Sequence, residues 1–434
     1  MQVKKGYTFV NWAGNIRHEV KNYFQPETVE EIVDIVRQHH QHIRMVGTGH
    51  SWSDICVDDE AMVNLDKFNK ILEIDHERLQ IKVQAGIKLL ELNEQLDKVG
   101  LALLNLGSIA RQSIAGAIST GTHGSGIDYQ IIGSAVISFT LVDANGDIHL
   151  IDKEQQPDIF HAAIVNLGCL GVLAEITLKV TKAFNIKDHT VALPMDDVID
   201  NLDDFVKNTD HFKMWWLAPA KDIITYRYQR TQEPTNDSAL RQWFKDVFLS
   251  VTIYRFLVWV AKWIPGLADF FNTILTSSYK KSLHRVEKSF KVFNVPEPPL
   301  HRETEWAFDF KNATTILKEY SKLLKESGFH YNFIQEIRFT KGDDFWLSPC
   351  YHRDAIWIGV YCYEHEHWDK VLPMFEAYAR KHQGRPHWGK EFITTDRDYL
   401  QQAYEKWDDF IQIKQSFDPN GKFSNAFINK LFDK

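Results

Sequence analysis

The stretch NLGSIARQSIAGAISTGTHGSG, residues 105 to 126, restricts what this chain can fold into more than any other. Gly107, Ser108, Ser113, Ala115, Gly116, Ala117, Ser119, Gly121, Gly124, Ser125 and Gly126 are too many small side chains for a packed helix or an ordinary strand. Such a segment buries little apolar surface. Its backbone can instead approach a ligand closely, its N–H groups can reach phosphate oxygens, and its glycines permit positive φ. A shorter stretch of the same kind, RMVGTGHSWSD (44–54), follows an apolar approach and places His50 on the rim of a glycine turn. Two surface loops, or two backbone cradles for a ligand, are the readings this composition leaves.

The common nucleotide motifs do not fit. GTGHSW lacks the third glycine of GxGxxG, and GTHGSG has its glycines at other offsets. Gly389-Lys390 is followed by Glu391 and Gly421-Lys422 by Phe423, so no P-loop is present. No metal site is expected: HExxH spacing is absent, and the consecutive Glu364-His365-Glu366-His367 reads as a solvated loop. Asp343-Asp344 after Gly342 reads as a turn. With 50 Lys and Arg against 58 Asp and Glu the chain lacks a basic footprint, which excludes nucleic acid as an expected partner. Cys56, Cys169, Cys350 and Cys362 show no CxxC spacing and read as free thiols in a reducing compartment. MQVKKGYTFVNWAGN has no apolar run behind its lysines, so a cytoplasmic rather than a secreted protein is expected.

A length of 434 residues exceeds the usual single core and argues for two closely packed domains. The first 184 residues alternate short helices and strands. Thr28 precedes Val29, Ile32, Val33 and Val36, with Glu31 three positions on, which is a helix start. Strands are expected at 43–46, 61–64, 80–84, 136–142 and 173–180, and a helix at 88–99 stopping at Gly100. From 185 to 415 longer helices (313–325, 367–382) separate strands such as 333–340 and 356–363, the pattern of a sheet with helices on one face. The whole is a mixed α/β, α+β architecture.

Residues 240 to 275 are rich in Trp, Phe and Leu, yet their longest unbroken apolar run is Phe256 to Ala261, between Arg255 and Lys262. A spanning helix needs ~20 apolar residues. A pair of amphipathic helices broken near Pro265-Gly266 remains, packed on the protein or on another copy, or lying in a membrane interface with Trp243, Trp259 and Trp263 at headgroup depth. In the strand at 332–340, period-two alternation puts Ile334, Glu336, Arg338 and Thr340 on one face and Phe333, Gln335, Ile337 and Phe339 on the other. By pattern alone, Glu336 and Arg338 are either a solvated ion pair or two members of a site.

In order along the chain, VGTGHSWSD, NLGS with GTHGSG, LGCLGVLAEITLKV (167–180), QEIRF (335–339), RPHWGK (385–390) and FDPNGKFSNAF (417–427) resemble the aldonolactone oxidoreductases, members of the vanillyl-alcohol-oxidase-like flavoproteins. The resemblance covers essentially the whole length. It implies a two-domain fold: an FAD-binding domain of the PCMH type (1–184), a sheet-and-helix substrate or cap domain (185–415), and a C-terminal segment (416–434) returning to close over the flavin. It implies FAD held by Val46, Gly47, Thr48, Gly49, His50 and Ser51, by Gly107 and Ser108, by Ser113, Gly116, Thr120, Gly121, Thr122 and His123, and by Ile176 at the adenosine end. His50 matches the histidine that relatives join to the flavin's 8α-methyl group, so the resemblance implies an 8α-histidyl bond between His50 and FAD.

The same resemblance implies that Glu336 and Arg338 grip the substrate, that Ser108 hydrogen-bonds its hydroxyl, that His387 contacts the cofactor, and that Lys390 stabilises the reduced flavin or removes a proton. Gly107 stands where an alanine can keep oxygen from the flavin, which implies an oxidase. The implied reaction is hydride transfer from the C2 hydroxyl carbon of a sugar-acid 1,4-lactone, such as L-gulono-1,4-lactone, to flavin N5. Molecular oxygen then yields hydrogen peroxide, with ascorbate or an analogue as product. An alditol oxidase, which uses the same Glu, Arg, Lys and Ser on an open-chain polyol, and a lactone dehydrogenase that feeds a quinone or cytochrome are the alternatives among enzymes. A non-catalytic membrane-surface protein built around 240–275 is the alternative of a different class.

Overall fold

Thr28 starts the first helix as its sequence requires: its hydroxyl accepts the Glu31 N–H at 3.2 Å, and Ile32, Val33, Ile35 and Val36 of helix Val29–Gln38 are buried. The computed structural model describes residues 1–39, 41–236, 252–363 and 367–432. Glu364, His365 and Glu366, and the part of the aromatic segment up to residue 251 with Trp243, lie outside them.

Three large sheets, beside a two-stranded pairing of Leu101–Ala102 with Thr181–Lys182, carry the described residues. The first has four strands in the order Gln2–Val10, Arg17–Gln25, Ala61–Asn64, Arg44–Val46. Its last two pairings are parallel, which requires a crossover, and helix Val29–Gln38 supplies it. The second is five antiparallel strands: Ile71–Asp75, Gln80–Gln84, Val172–Lys179, Val136–Val142 and Ile148–Asp152. Helix Leu89–Lys98 ends where glycine was expected to end it, with Gly100 at φ +74° and its N–H on Asp97 O at 3.1 Å.

The third sheet has eight strands, in the order Leu283–Lys288, Asn185–Pro194, Asp222–Thr231, His211–Trp216, Gln335–Thr340, Ala355–Tyr363, His301–Asp309, Arg385–Pro386. Period two separates its faces. Trp216, Gln335, Ile337 and Phe308 lie beneath helices Ala313–Glu326 and Trp368–Lys381, and Tyr320 donates to Gln335 Oε1 at 2.8 Å. The opposite face looks toward the small-residue tract.

The chain's last stretch returns to its beginning. Ile43 N–H donates to Lys422 O at 2.8 Å and Ala144 N–H to Phe417 O at 3.1 Å. Arg44, wholly buried, donates to the carbonyls of Ile55, Leu167, Gly168 and Phe423 and so joins four chain segments. The aromatic segment forms helices Tyr254–Trp263 and Gly266–Ser278, broken at Pro265. Val258, Ala261, Ala268 and Asn272 face the protein, where Asn272 donates to Ala218 O and Tyr331 O at 2.7 Å each. Phe256, Trp259, Trp263, Ile264, Phe270 and Ile274 are exposed. Among the described residues no helix is long and apolar enough to cross a membrane.

Candidate active site

Directly opposed residues in an antiparallel sheet share a face. Lys213 opposes Arg338 and Trp215 opposes Glu336; Gly359 lies between Glu336 on one side and Glu305 on the other. One rung of the sheet therefore carries two carboxylates flanking a glycine. A Cβ on Gly359 would come within 2.9 Å of the Tyr361 ring, so the glycine lets Tyr361 fold back and donate to Glu336 Oε2 at 3.1 Å.

Glu336 is buried and accepts from four donors: Tyr361, Lys213 Nζ at 3.2 Å, Trp215 Nε1 at 2.9 Å, and Arg338. Burial alone would raise its carboxyl, but Arg338 and Lys213 outweigh burial and push it down to about 2. Lys213 itself is lowered, because burial costs its ammonium more than Glu336 returns. Arg338 extends the network: Nη2 donates to Ser108 Oγ at 2.9 Å and Nη1 to His123 O at 3.3 Å. One guanidinium thus ties the large sheet to both ends of the small-residue tract. The tract's last turn is stitched to the same strand, with Phe339 N–H donating to Ser125 Oγ at 3.1 Å and Gly126 N–H to Phe339 O at 2.7 Å.

RPHWGK enters from the sheet edge. Lys390 donates to the buried Glu303 and lies 4.2 Å from the Trp52 ring centre. The backbone of His387 donates to Glu305 O at 2.9 Å and Trp52 N–H to Gly389 O at 2.9 Å, which locks the motif between the sheet and the first glycine turn. Burial pushes the His387 imidazole down to about 3, and its Nδ1 accepts the Gly389 N–H at 3.0 Å, so Nε2 carries the proton. His123 stacks on Trp357 with ring centres 3.8 Å apart and lies 3.4 Å from Glu305. Burial works to raise Glu305, but His123, Lys390 and Arg338 together hold it below the usual carboxylate range. Side-chain atoms of His123, Glu305 and His387 lie within 4.8 Å of one another. That grouping has the composition of a metal site, but its carboxylate charge is already countered by protein cations.

The two small-residue stretches meet. A Cβ on Gly47 would overlap Ser113 Oγ, so glycine at 47 permits the contact. Ser113 caps the short helix Ile114–Ser119 by accepting Gly116 N–H at 3.3 Å, and Thr120 Oγ1 donates to Gly116 O at 2.9 Å. Gly49 and Gly121 hold φ of +70° and +71°. Val46 and Gly47 carbonyls accept from Asn64 Nδ2 at 3.4 and 3.0 Å, and Ser51 O from Asn11 Nδ2 at 3.0 Å. His50 Nδ1 lies 2.8 Å from Thr48 Oγ1 and Nε2 3.5 Å from Glu297 Oε1. Burial lowers its imidazole, Glu297 works against that, and Lys390 and Arg111 add to it. Ile176 stands apart, in the middle strand of the five-stranded sheet, its side chain in the core.

Comparison with known proteins gives the family. The model described as D-arabinono-1,4-lactone oxidase matches residues 176–431, and that described as FAD binding domain matches 20–152. The L-gulonolactone oxidase of Bos taurus is 34% identical over 99% of this chain and 99% of its own length. The chain belongs to the aldonolactone oxidoreductase family. The L-gulono-1,4-lactone dehydrogenase of Mycobacterium tuberculosis is 28% identical over 97% of this chain and 98% of that protein. The crystal structure of cholesterol oxidase from B. sterolicum superposes with a TM-score of 0.83 at 17% identity, covering 99% of this chain and 97% of that one. That likeness shows a shared fold at distant sequence.

The residues of this family member fit FAD on their own chemistry. Thr122 Oγ1, Gln112 Oε1 and Asn105 Nδ2 are buried polar atoms without a hydrogen-bond partner among the described residues, along the stretch whose small residues leave backbone accessible. Buried groups of this kind call for a ligand with donors and acceptors of its own. The family motifs did not lead to Lys213, Glu303, Glu305 or Glu297. For Glu303 and Glu305 a signal existed: RETEWAF places two carboxylates at the spacing that puts them on one face of a strand.

Proposed function

We propose that the protein oxidises a sugar-acid 1,4-lactone at its C2 hydroxyl, with FAD as cofactor and molecular oxygen as final acceptor, giving hydrogen peroxide and ascorbate or an analogue. The observation that carries this is the Arg338 fork, which reaches Glu336, Ser108 Oγ and His123 O at once and so joins carboxylate, hydroxyl and glycine cradle at one buried point. FAD supplies the hydride acceptor. Glu336, with its charge held by Arg338 and Lys213, accepts the substrate hydroxyl; Arg338 and Ser108 donate to its oxygens. Lys390, fixed by Glu303, supplies a cation beside the first cradle, where reduced flavin gains negative charge. Val46 to Ser51, Gly107, Ser108 and Ser113 to His123 hold the cofactor, with Ile176 toward its adenosine end and His387 at its edge. His50 forms the covalent bond to it.

Residues 1–184, 185–415 and 416–434 then act as cofactor domain, substrate domain and closing segment. Mixing the purified yellow protein with L-gulono-1,4-lactone, L-galactono-1,4-lactone, D-arabinono-1,4-lactone and xylitol tests the reading. Bleaching by a lactone, with peroxide formed in air, is the expected result; bleaching by xylitol alone makes it an alditol oxidase. Reduced protein that stays reduced in air identifies a dehydrogenase.

A peripheral membrane contact through helices Tyr254–Trp263 and Gly266–Ser278 is supported by Trp259, Trp263, Phe256 and Phe270 standing on the outward side of helices whose inner side packs on the protein. Co-sedimentation with phosphatidylcholine–phosphatidylserine vesicles, retained by the native chain and lost in a Trp259→Ser/Trp263→Ser variant, is the expected outcome. A native chain that stays in the supernatant removes this contact.

A further inference from the structure

The segment NVPEPPL, residues 294 to 300, crosses the site as a strap. Pro296, Pro298 and Pro299 remove three N–H donors and restrict φ, which stiffens it. It is fastened at both ends: Asn294 Nδ2 donates to Gly107 O at 2.9 Å and Val295 N–H to Ser108 O at 3.0 Å, while His301 Nδ1 meets Pro299 O at 2.8 Å. In its middle Glu297 puts Oε1 3.5 Å from His50 Nε2 and 3.4 Å from Arg111 Nε. A carboxylate only accepts, so Nε2 is the ring nitrogen that carries hydrogen, and the Thr48 hydroxyl donates to Nδ1 at 2.8 Å. Trp12 lies nearly parallel to the imidazole, at 16° with ring centres 5.9 Å apart, and restricts its rotation.

We propose that Glu297 is the positioning residue for flavin attachment: it fixes the His50 tautomer whose lone pair is on Nδ1 and accepts the Nε2 proton as the bond forms. The inference rests on the covalent reading above. Joining Nδ1 to the flavin's 8α carbon removes one hydrogen from that methyl group and one from Nε2. The two electrons released pass through the ring to dioxygen, which with two protons becomes hydrogen peroxide. Glu297 acts through His50, and Arg111 holds the carboxylate from its solvent side.

The test uses protein produced flavin-free in a riboflavin-starved host and then given FAD in air. Flavin fluorescence that stays with the acid-denatured polypeptide is followed over time for native protein, Glu297→Gln, Glu297→Ala and Glu297→Asp. Attachment at least tenfold slower in Glu297→Gln and Glu297→Ala, with partial recovery in Glu297→Asp and unchanged melting temperatures, is expected. Nitrogen-15 spectra of the flavin-free native protein should show His50 protonated at Nε2, and that preference should weaken in Glu297→Gln, a change that a merely structural role does not produce. Native protein that releases all its flavin to acid overturns the covalent reading and this proposal together. Native protein that keeps its flavin, beside a Glu297→Gln variant that acquires it equally fast or a linkage through Nε2, overturns the role of Glu297 alone.

Discussion

Replacing Glu336 by Gln keeps the shape of the side chain and removes its charge, leaving Arg338 and Lys213 buried beside a neutral amide. Its carboxyl is displaced from an ordinary 4.5 to about 2, and at ~1.4 kcal/mol for each tenfold change this is about 3 kcal/mol of preference for the ionised form. Breaking a buried pair by deleting one partner costs ~3–5 kcal/mol, so the two estimates meet. Because the folded value is depressed, the contribution is complete above the unfolded value of 4.5 and disappears as pH falls toward about 2. Urea unfolding of native protein and Glu336→Gln from pH 3 to pH 8 should therefore show a gap of about 3 kcal/mol at neutral pH that narrows in acid. Turnover should fall with it, since a hydrogen bond from the substrate hydroxyl to a charged acceptor contributes ~1.5–3 kcal/mol, or about 10–100-fold in kcat/KM. A gap below ~0.5 kcal/mol, or one that stays constant through pH 3, would refute the assignment of Glu336 as the ionised centre of the network.

At Gly107 an added methyl lies 3.1 Å from His123 O and 3.5 Å from Thr122 Cγ2; Gly107→Ala should slow reoxidation of the reduced enzyme by air about tenfold, ~1.4 kcal/mol of barrier, with lactone-driven reduction little changed. Stopped-flow measurement of the two half-reactions separates these effects. Asp343 is pushed up to about 7 by burial, from an ordinary 3.8, although Ser348 and the Phe345 N–H pull the other way. The folded chain thus favours its protonated form, and this support is complete below ~4 and lost as pH rises through ~7, the loss amounting to about 4 kcal/mol by pH 8. Asp343→Asn should flatten that decline in urea midpoints. Arg44→Met strands the buried carbonyls that Arg44 serves and, at ~1–3 kcal/mol for each unsatisfied group, should cost at least about 3 kcal/mol in urea unfolding. Limited proteolysis should then cut the stretch around Phe423 first.

Local signals in the sequence were strong wherever one short segment contains its own explanation. Thr28 with Glu31 marks a helix start because the cap bond closes within three residues, and Gly100 marks a helix end because its φ of +74° is costly for other residues. The break at Pro265 and the alternation through Gln335–Thr340 were legible for the same reason. The strand His301–Asp309 was not. Its sequence HRETEWAFD is charged where a strand paired on both sides is ordinarily apolar, and Lys390 and His123, arriving from elsewhere, meet Glu303 and Glu305. Pattern alone also left the Glu336–Arg338 pair as solvated as it was catalytic; the fold buries it under the small-residue tract.

By itself the sequence determined the periodicities, the caps, the two small-residue stretches and, through its ordered motifs, the family. Those depend on residues close in the chain, or on motifs that survive as short strings. Only the tertiary structure decided that Lys213, Glu336, Gly359 and Glu305 share a sheet face, and that Lys390 meets Glu303. It also decided that Glu297, 247 positions from His50, faces that ring. The reason is physical: whether a charge is solvated or paired depends on which distant segments exclude water around it, and strand order, not local preference, brings those segments together.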